Sequence, residues 1–262
     1  MEIPSCQEWL NDDYWTDPPA YIHQLLPREP GEYMIICGRP AIGKTNLAMH
    51  MACCLATGLS FFGFECEMTK VGHLIMEGSK KNIRDRFKKI LPQYPSEERT
   101  RNYFVERREP LDLEKNLDRY AMMFDGCQVV ILDNLKHVTN SRYLENAYAL
   151  HWIKEVYQKF LRRIGAVGIL THHLSKTNDL LIEPDDLRRV KGAGEYVEEG
   201  NTVLLLERRK QGRGLNGKFS NVDETKLVLY FSKARIAEDV ILPVNLIRNF
   251  ELCRFDRDGD GD

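Results

Sequence analysis

Gly38-Arg39-Pro40-Ala41-Ile42-Gly43-Lys44-Thr45 follows the spacing G-x-x-x-x-G-K-[ST]. That pattern is suited to holding a phosphate chain. The two glycines let backbone N–H groups turn inward around an anion. A helix beginning at Lys44 would add the positive end of its dipole. Lys44 is placed to reach the β- and γ-phosphates, and the Thr45 hydroxyl to ligate Mg²⁺. Asn46 completes the candidate nucleotide-binding stretch that begins at Gly38.

Three further positions could do chemistry beside such a loop. Asp133 ends the apolar run Cys127–Leu132, where a carboxylate can hold a metal ion's water shell. Taken alone, the same residue reads better as a helix cap, and the phosphate loop beside it turns the reading to Mg²⁺. Glu77 ends His73-Leu-Ile-Met76 and could polarise the water that attacks a γ-phosphate, or stand as a plain surface acid. His172 and His173 follow Thr171, and one imidazole there could sense the γ-phosphate or satisfy a local hydrogen bond.

Behind these residues lies an alternation of strands and helices. Tyr33–Cys37, Val71–Met76, Val129–Leu132, Ala166–Leu170 and Thr202–Leu206 are short continuous apolar runs. Lys44–Gly58, Lys80–Leu91 and Ala147–Ile164 carry helical periodicity. Continuous runs are buried on both faces, which predicts an α/β fold with a parallel sheet covered by helices. After Leu206 the pattern changes. The polar, glycine-rich Glu207–Ser220 separates Thr202–Leu206 from a strand at Lys226–Ser232, which predicts a C-terminal β-hairpin at the sheet edge. Val240–Ile247 is a further strand candidate, interrupted by Pro243.

Composition excludes several classes. The chain has 262 residues, 43% hydrophobic and 29% charged, with a net charge of −2. A coat of positive charge is absent, so any nucleic-acid site must be a local basic patch. No run of 18 apolar residues predicts a membrane span. The Met1–Asp13 stretch does not read as a secretion signal, so a cytoplasmic location is expected. Seven cysteines without a C-x-x-C pair read as reduced thiols rather than zinc ligands. The Asp256-Arg-Asp-Gly-Asp260 segment matches only the first half of a calcium loop.

The ordered set GRPAIGKT, HLIMEGS, VVILDN, ILTHHLSK and LYFSKAR resembles the RecA-like ATPase core of hexameric replicative helicases, and within that group compact plasmid- and phage-type helicases. The resemblance runs over roughly residues 20–250. It implies a RecA-like P-loop NTPase core with a mostly parallel central sheet, using ATP and Mg²⁺. On this basis residues 1–30 would be an N-terminal arm, 31–252 the ATPase domain and 253–262 an acidic, disordered tail. Carried over by position, Lys44 and Thr45 would bind phosphate and metal, Asp133 metal, Glu77 would be the catalytic carboxylate and His173 the γ-phosphate sensor. Arg86 would lie near the nucleotide. Lys233 and Arg235 would reach a neighbouring subunit's ATP, the arginine acting as a finger in trans; without the resemblance they read as ordinary edge-strand cations.

The same resemblance implies a homo-oligomer, a hexameric ring, acting on single-stranded DNA, with a primase or other replication or recombination proteins as partners. A ring would present two loops to DNA. One is Lys136–Tyr143. The other is Lys176–Glu195, with Arg188, Arg189, Lys191 and Gly192 as the contacting residues. Acidic Glu183, Asp185 and Asp186 sit beside that second set. Rival readings are a RecA-like recombinase or mediator, and an ATP-regulated assembly factor.

Overall fold

The computed structural model describes residues 19–174, 187, 190, 194–209, 223–237 and 239–259. The strands are β1 (Ala20–Ile22), β2 (Leu26–Pro27), β3 (Tyr33–Gly38), β4 (Val71–Ile75), β5 (Tyr103–Arg107), β6 (Val129–Asp133), β7 (Val167–His173), β8 (Thr202–Arg208), β9 (Lys226–Ala234), β10 (Val244–Asn249) and β11 (Arg254–Arg257). Strands β3 to β11 form one nine-stranded sheet in the order β11-β10-β9-β8-β3-β7-β6-β4-β5. The six from β5 to β8 across that order are parallel. Strands β9, β10 and β11 continue it antiparallel.

Strand residues alternate between two hydrophobic layers, because successive side chains in a strand point to opposite faces. Met34, Ile36, Val129, Ile131 and Leu204 face one layer, built on helix α1 (Lys44–Thr57). Tyr33, Ile35, Val130, Leu132 and Leu205 face the other. There Asn146–His151 (α6), a π-helical stretch Trp152–Tyr157 and Gln158–Ile164 (α7) run on without a break. Gly168 on β7 is the point of closest approach: a Cβ there would lie 2.0 Å from the Tyr157 hydroxyl. The helix expected over Ala147–Ile164 is therefore present, with a π-helical middle and Gly165 as its left-handed cap.

Three smaller helices precede it: α2 (Lys80–Ile90), capped by the Ser79 hydroxyl, α3 (Ser96–Asn102) and α4 (Leu117–Met123). The short α5 (Leu135–Val138) follows β6, and α8 (Glu195–Glu199) precedes β8. The edge strand β5, YFVER, buries Tyr103 and leaves Phe104, Val105 and Glu106 exposed, so it adds no apolar run of the kind that marks the central strands.

Both chain ends depart from expectation. Within the predicted arm, Ile22, Leu25 and Leu26 are fully buried, and the β1–β2 ribbon packs into the α1 layer. Within the predicted disordered tail, Arg254–Arg257 is a strand and Phe255 is only 1% exposed. The acidic composition after Arg257 hid one apolar residue whose partner, the phosphate loop, is distant in sequence. Among the described residues no helix is long and apolar enough to cross a membrane.

A buried imidazole makes the fold acid-sensitive. His73 lies inside β4 with Nδ1 2.8 Å from the Tyr103 hydroxyl, and burial pushes it down to about 4 from 6.5. The folded chain keeps it neutral while the unfolded chain protonates it, so its stabilising share is complete above pH 6.5 and lost as pH falls towards 4. A His73→Leu variant should lose less stability than wild type over that window, by about 3 kcal/mol in urea unfolding. Parallel pH profiles would refute the assignment.

Candidate active site

The parallel register brings the carboxyl ends of four strands to one rim. Gly38 pairs with His173 across β3 and β7, and Ile75 pairs with Asp133 across β4 and β6. Ligands in such sheets bind beyond the carboxyl ends of the strands. Here that rim carries the phosphate loop, Glu77, Asp133 and His173. The loop itself is tightly wound: Ala41 has φ 61° and Gly43, the cap of α1, has φ 113°. The second position needs glycine twice over, for its backbone angle and because Phe255 would lie 2.8 Å from a Cβ there.

Lys44 is 7% exposed. Its Nζ donates to the carbonyls of Gly38 (3.0 Å) and Arg39 (3.1 Å) and to His173 Nδ1 (3.1 Å). Burial lowers its affinity for its proton, while Asp133, Cys37 and Glu77 oppose that effect. With the ammonium donating to Nδ1, the His173 proton sits on Nε2 and faces Glu77 Oε1, 3.8 Å away. Asn134 Nδ2 lies 3.3 Å from that same nitrogen.

Glu77 Oε1 also accepts from Asn134 Nδ2 at 2.7 Å and from His137 Nε2 at 3.1 Å. His173 first, then Asn134 and His137, hold the carboxyl down at about 2 against the opposing effect of burial. All three partners engage one oxygen. The side chain is 44% exposed, so the other oxygen can meet a water. Sequence reasoning placed Glu77 and His173 here but gave Asn134 no role and put His137 in the candidate DNA loop Lys136–Tyr143. The only signal was their spacing from Asp133 on β6 and α5, which says nothing about β4.

Asp133 is 2% exposed. Its Oδ1 accepts from the Thr171 hydroxyl at 2.5 Å, and its Oδ2 is buried without a partner. An orphaned carboxylate oxygen at the floor of a phosphate loop fits a hydrated Mg²⁺, with Thr45 in the first turn of α1 as the second protein ligand. The same region holds another unpartnered acceptor, Asn46 Oδ1.

Lys233 and Arg235 lie away from this rim. Lys233 Nζ donates to Val197 O at 2.9 Å and to Glu198 O, and Arg235 Nη2 donates to the same Glu198 carbonyl. Both thus hold the carbonyl end of α8, at the rim opposite the phosphate loop. Arg86 lies on α2, near Arg248. Arg188, Arg189, Lys191 and Gly192 lie outside the described residues, so the second DNA loop has no structural account. In the first, Val138, Thr139 and Tyr143 are buried, leaving Lys136, Ser141 and Arg142 exposed. On and just after β8, Arg208 pairs with Glu224 at 3.2 Å and Arg209 with Asp258 at 2.6 Å.

Thr171→Val removes the one donor that orients Asp133 among the described residues. It should raise the Mg²⁺ concentration for half-maximal ATP turnover about 10- to 100-fold while leaving turnover at saturating Mg²⁺ less affected. An unchanged Mg²⁺ requirement would remove Asp133 from the metal site. Among curated proteins none matches the chain. Residues 7–179, two thirds of the chain, match the AAA domain family AAA_25. With the phosphate loop, the orphaned acid and the strand-end glutamate on one rim, the chain belongs to this family of P-loop ATPase domains.

Proposed function

We propose that the protein is an ATP-driven motor of the hexameric helicase type, moving along single-stranded DNA as a ring of identical subunits. The observation that carries this reading is the position of Lys233 and Arg235. Leu206 pairs with Gly38 at the phosphate-loop end of the sheet, whereas Thr202 pairs with Ala234 at the other end. These two cations therefore sit a full strand length from their own phosphate loop. If they act on ATP they act on a neighbour's.

In the proposed cycle Glu77 takes a proton from the attacking water as its oxygen bonds to the γ-phosphorus. The bond from that phosphorus to the β-γ bridging oxygen breaks, releasing ADP and phosphate. Lys44 neutralises the departing charge, and Mg²⁺ held by Thr45 and Asp133 would add to that neutralisation. Arg235 of the adjacent subunit completes the site; such fingers contribute about 10³–10⁵ in rate. His173, bonded to Lys44, reports the state of the γ-phosphate to the Lys176–Glu195 segment that follows it in sequence. Arg188, Arg189, Lys191 and Gly192 in that segment would carry backbone contacts to DNA, with strong salt dependence.

The decisive experiment is ATP turnover with and without single-stranded DNA at two salt concentrations, with Lys44→Ala as the blank. Stimulation that fades with salt is expected. Turnover indifferent to DNA would replace the motor with an ATP-regulated assembly factor, and open filaments on DNA would replace it with a recombinase. Glu77→Gln should retain ATP binding and lose about 10²–10⁴ in turnover. Arg235→Ala should also bind ATP without turnover, and mixing it with Glu77→Gln subunits should restore part of the activity. A mixture as inactive as its components would argue against a finger in trans.

A further inference from the structure

The hairpin β10–β11 reaches back over the start of α1. Phe255 and Arg248 are cross-strand partners in it. The Phe255 ring packs against Gly43, and the Arg248 guanidinium carbon lies 3.5 Å from where a Cβ of residue 43 would be. Arg248 Nη1 donates to the carbonyl of Ala41 at 3.2 Å. Its charged carbon sits 4.4 Å from the centre of the Phe250 ring, and its Nε is buried without a partner. The hairpin turn is itself fastened to the helix that follows Glu77 and to the 3-10 turn Leu91–Gln93 after it: Lys89 and Gln93 donate to the carbonyls of Phe250 and Leu252, at 3.5 and 3.0 Å.

The charge balance at this contact is unsatisfied. Burial and then the neighbouring Arg86 make Arg248 easier to deprotonate than a free arginine. No carboxylate is paired with Arg248 or Arg86 among the described residues. The acid that acts on Arg248, Glu224, is already bridged to Arg208. A carbonyl accepts a hydrogen bond but does not neutralise a guanidinium, and the Arg86 charge opposes the Arg248 charge. Such a pair, beside a loop built for phosphate, is relieved by an anion. Guanidinium is also the group whose fork best matches phosphate oxygens.

We propose that Arg248, delivered by the C-terminal hairpin and seconded by Arg86, is a ligand of the nucleotide's phosphate chain in the same subunit. The inference rests on nucleotide binding at the phosphate loop, and not on the DNA-motor reading. It makes the hairpin part of the ATP site: Phe255 seats it on Gly43, and Arg248 exchanges the Ala41 carbonyl for phosphate oxygen when the loop is filled.

The test is calorimetric titration of the full chain with ATP, ADP and adenosine, for wild type, Arg248→Met and Arg248→Lys, with thermal melting of each. Arg248→Met should weaken ATP and ADP about tenfold or more, a change of about 1.4 kcal/mol, and leave adenosine as in wild type. Arg248→Lys, which keeps the charge and loses the fork, should fall between them. ATP affinity unchanged in a normally melting Arg248→Met would overturn the inference, as would equal losses for ATP and adenosine. Should Arg248→Met fail to fold, Arg248→Lys decides: wild-type ATP affinity overturns the proposal, and a loss confined to the phosphorylated ligands supports it. A wild-type chain that does not bind ATP would overturn the phosphate-loop reading itself.

Discussion

Lys44, His173, Asn134 and Glu77 form a single chain of contacts across the carboxyl ends of four strands. The rest of the site depends on that alignment. Lys44 belongs to the loop after β3, His173 to β7, Asn134 to the step beyond β6 and Glu77 to the step beyond β4. In a parallel sheet neighbouring strands are about 4.8 Å apart, so side chains beyond these ends reach the next strand, and His173 also comes within 3.8 Å of Glu77 two strands away. Each link in this chain crosses to an adjacent element. A slip of one residue in any pairing would turn alternate side chains to the other face and break it.

The same chain joins the group that would hold phosphate to the group that would activate water. Lys44 turns onto the carbonyls of its own loop and onto His173. Glu77 is held through one oxygen by Asn134 and His137. Any ligand that takes the Lys44 ammonium must change what His173 accepts, and His173 faces Glu77. The coupling is short, through three side chains, and runs from the buried Lys44 and Asn134 to the half-exposed Glu77; its hydrogen bonds to charged groups are the strong kind.

Two clamps act on the sheet, one at each end. On the α1 side the β10–β11 hairpin seats Phe255 on Gly43 and is tied by Lys89 and Gln93 to the helix after Glu77 and the turn that follows it. At the opposite end of the sheet, Lys233 and Arg235 cap the carbonyls of α8, which by sequence follows the Lys176–Glu195 segment. Cations at a helix carboxyl end are favourably placed in the isolated subunit. In a ring, the proposed contact of the same two side chains with a neighbour's phosphates would compete with that cap.

The sequence by itself determined the phosphate loop, the strand after which it lies, and the acids at Glu77 and Asp133. These are local signals: a fixed glycine spacing, an apolar run, and a carboxylate where the run stops. It also determined the two-faced parallel sheet, because Tyr33–Cys37 and Val129–Leu132 are apolar at every position. It could not show that Asn134 and His137 serve Glu77, since their partner is on another strand. Nor could it show that Phe255 and Arg248 close over Gly43, since one buried phenylalanine within an acidic tail has no periodicity to betray it. Tertiary structure alone decided these, because a hydrogen bond or a packed ring is set by distance in space, and strand order in a sheet is not the order of the chain.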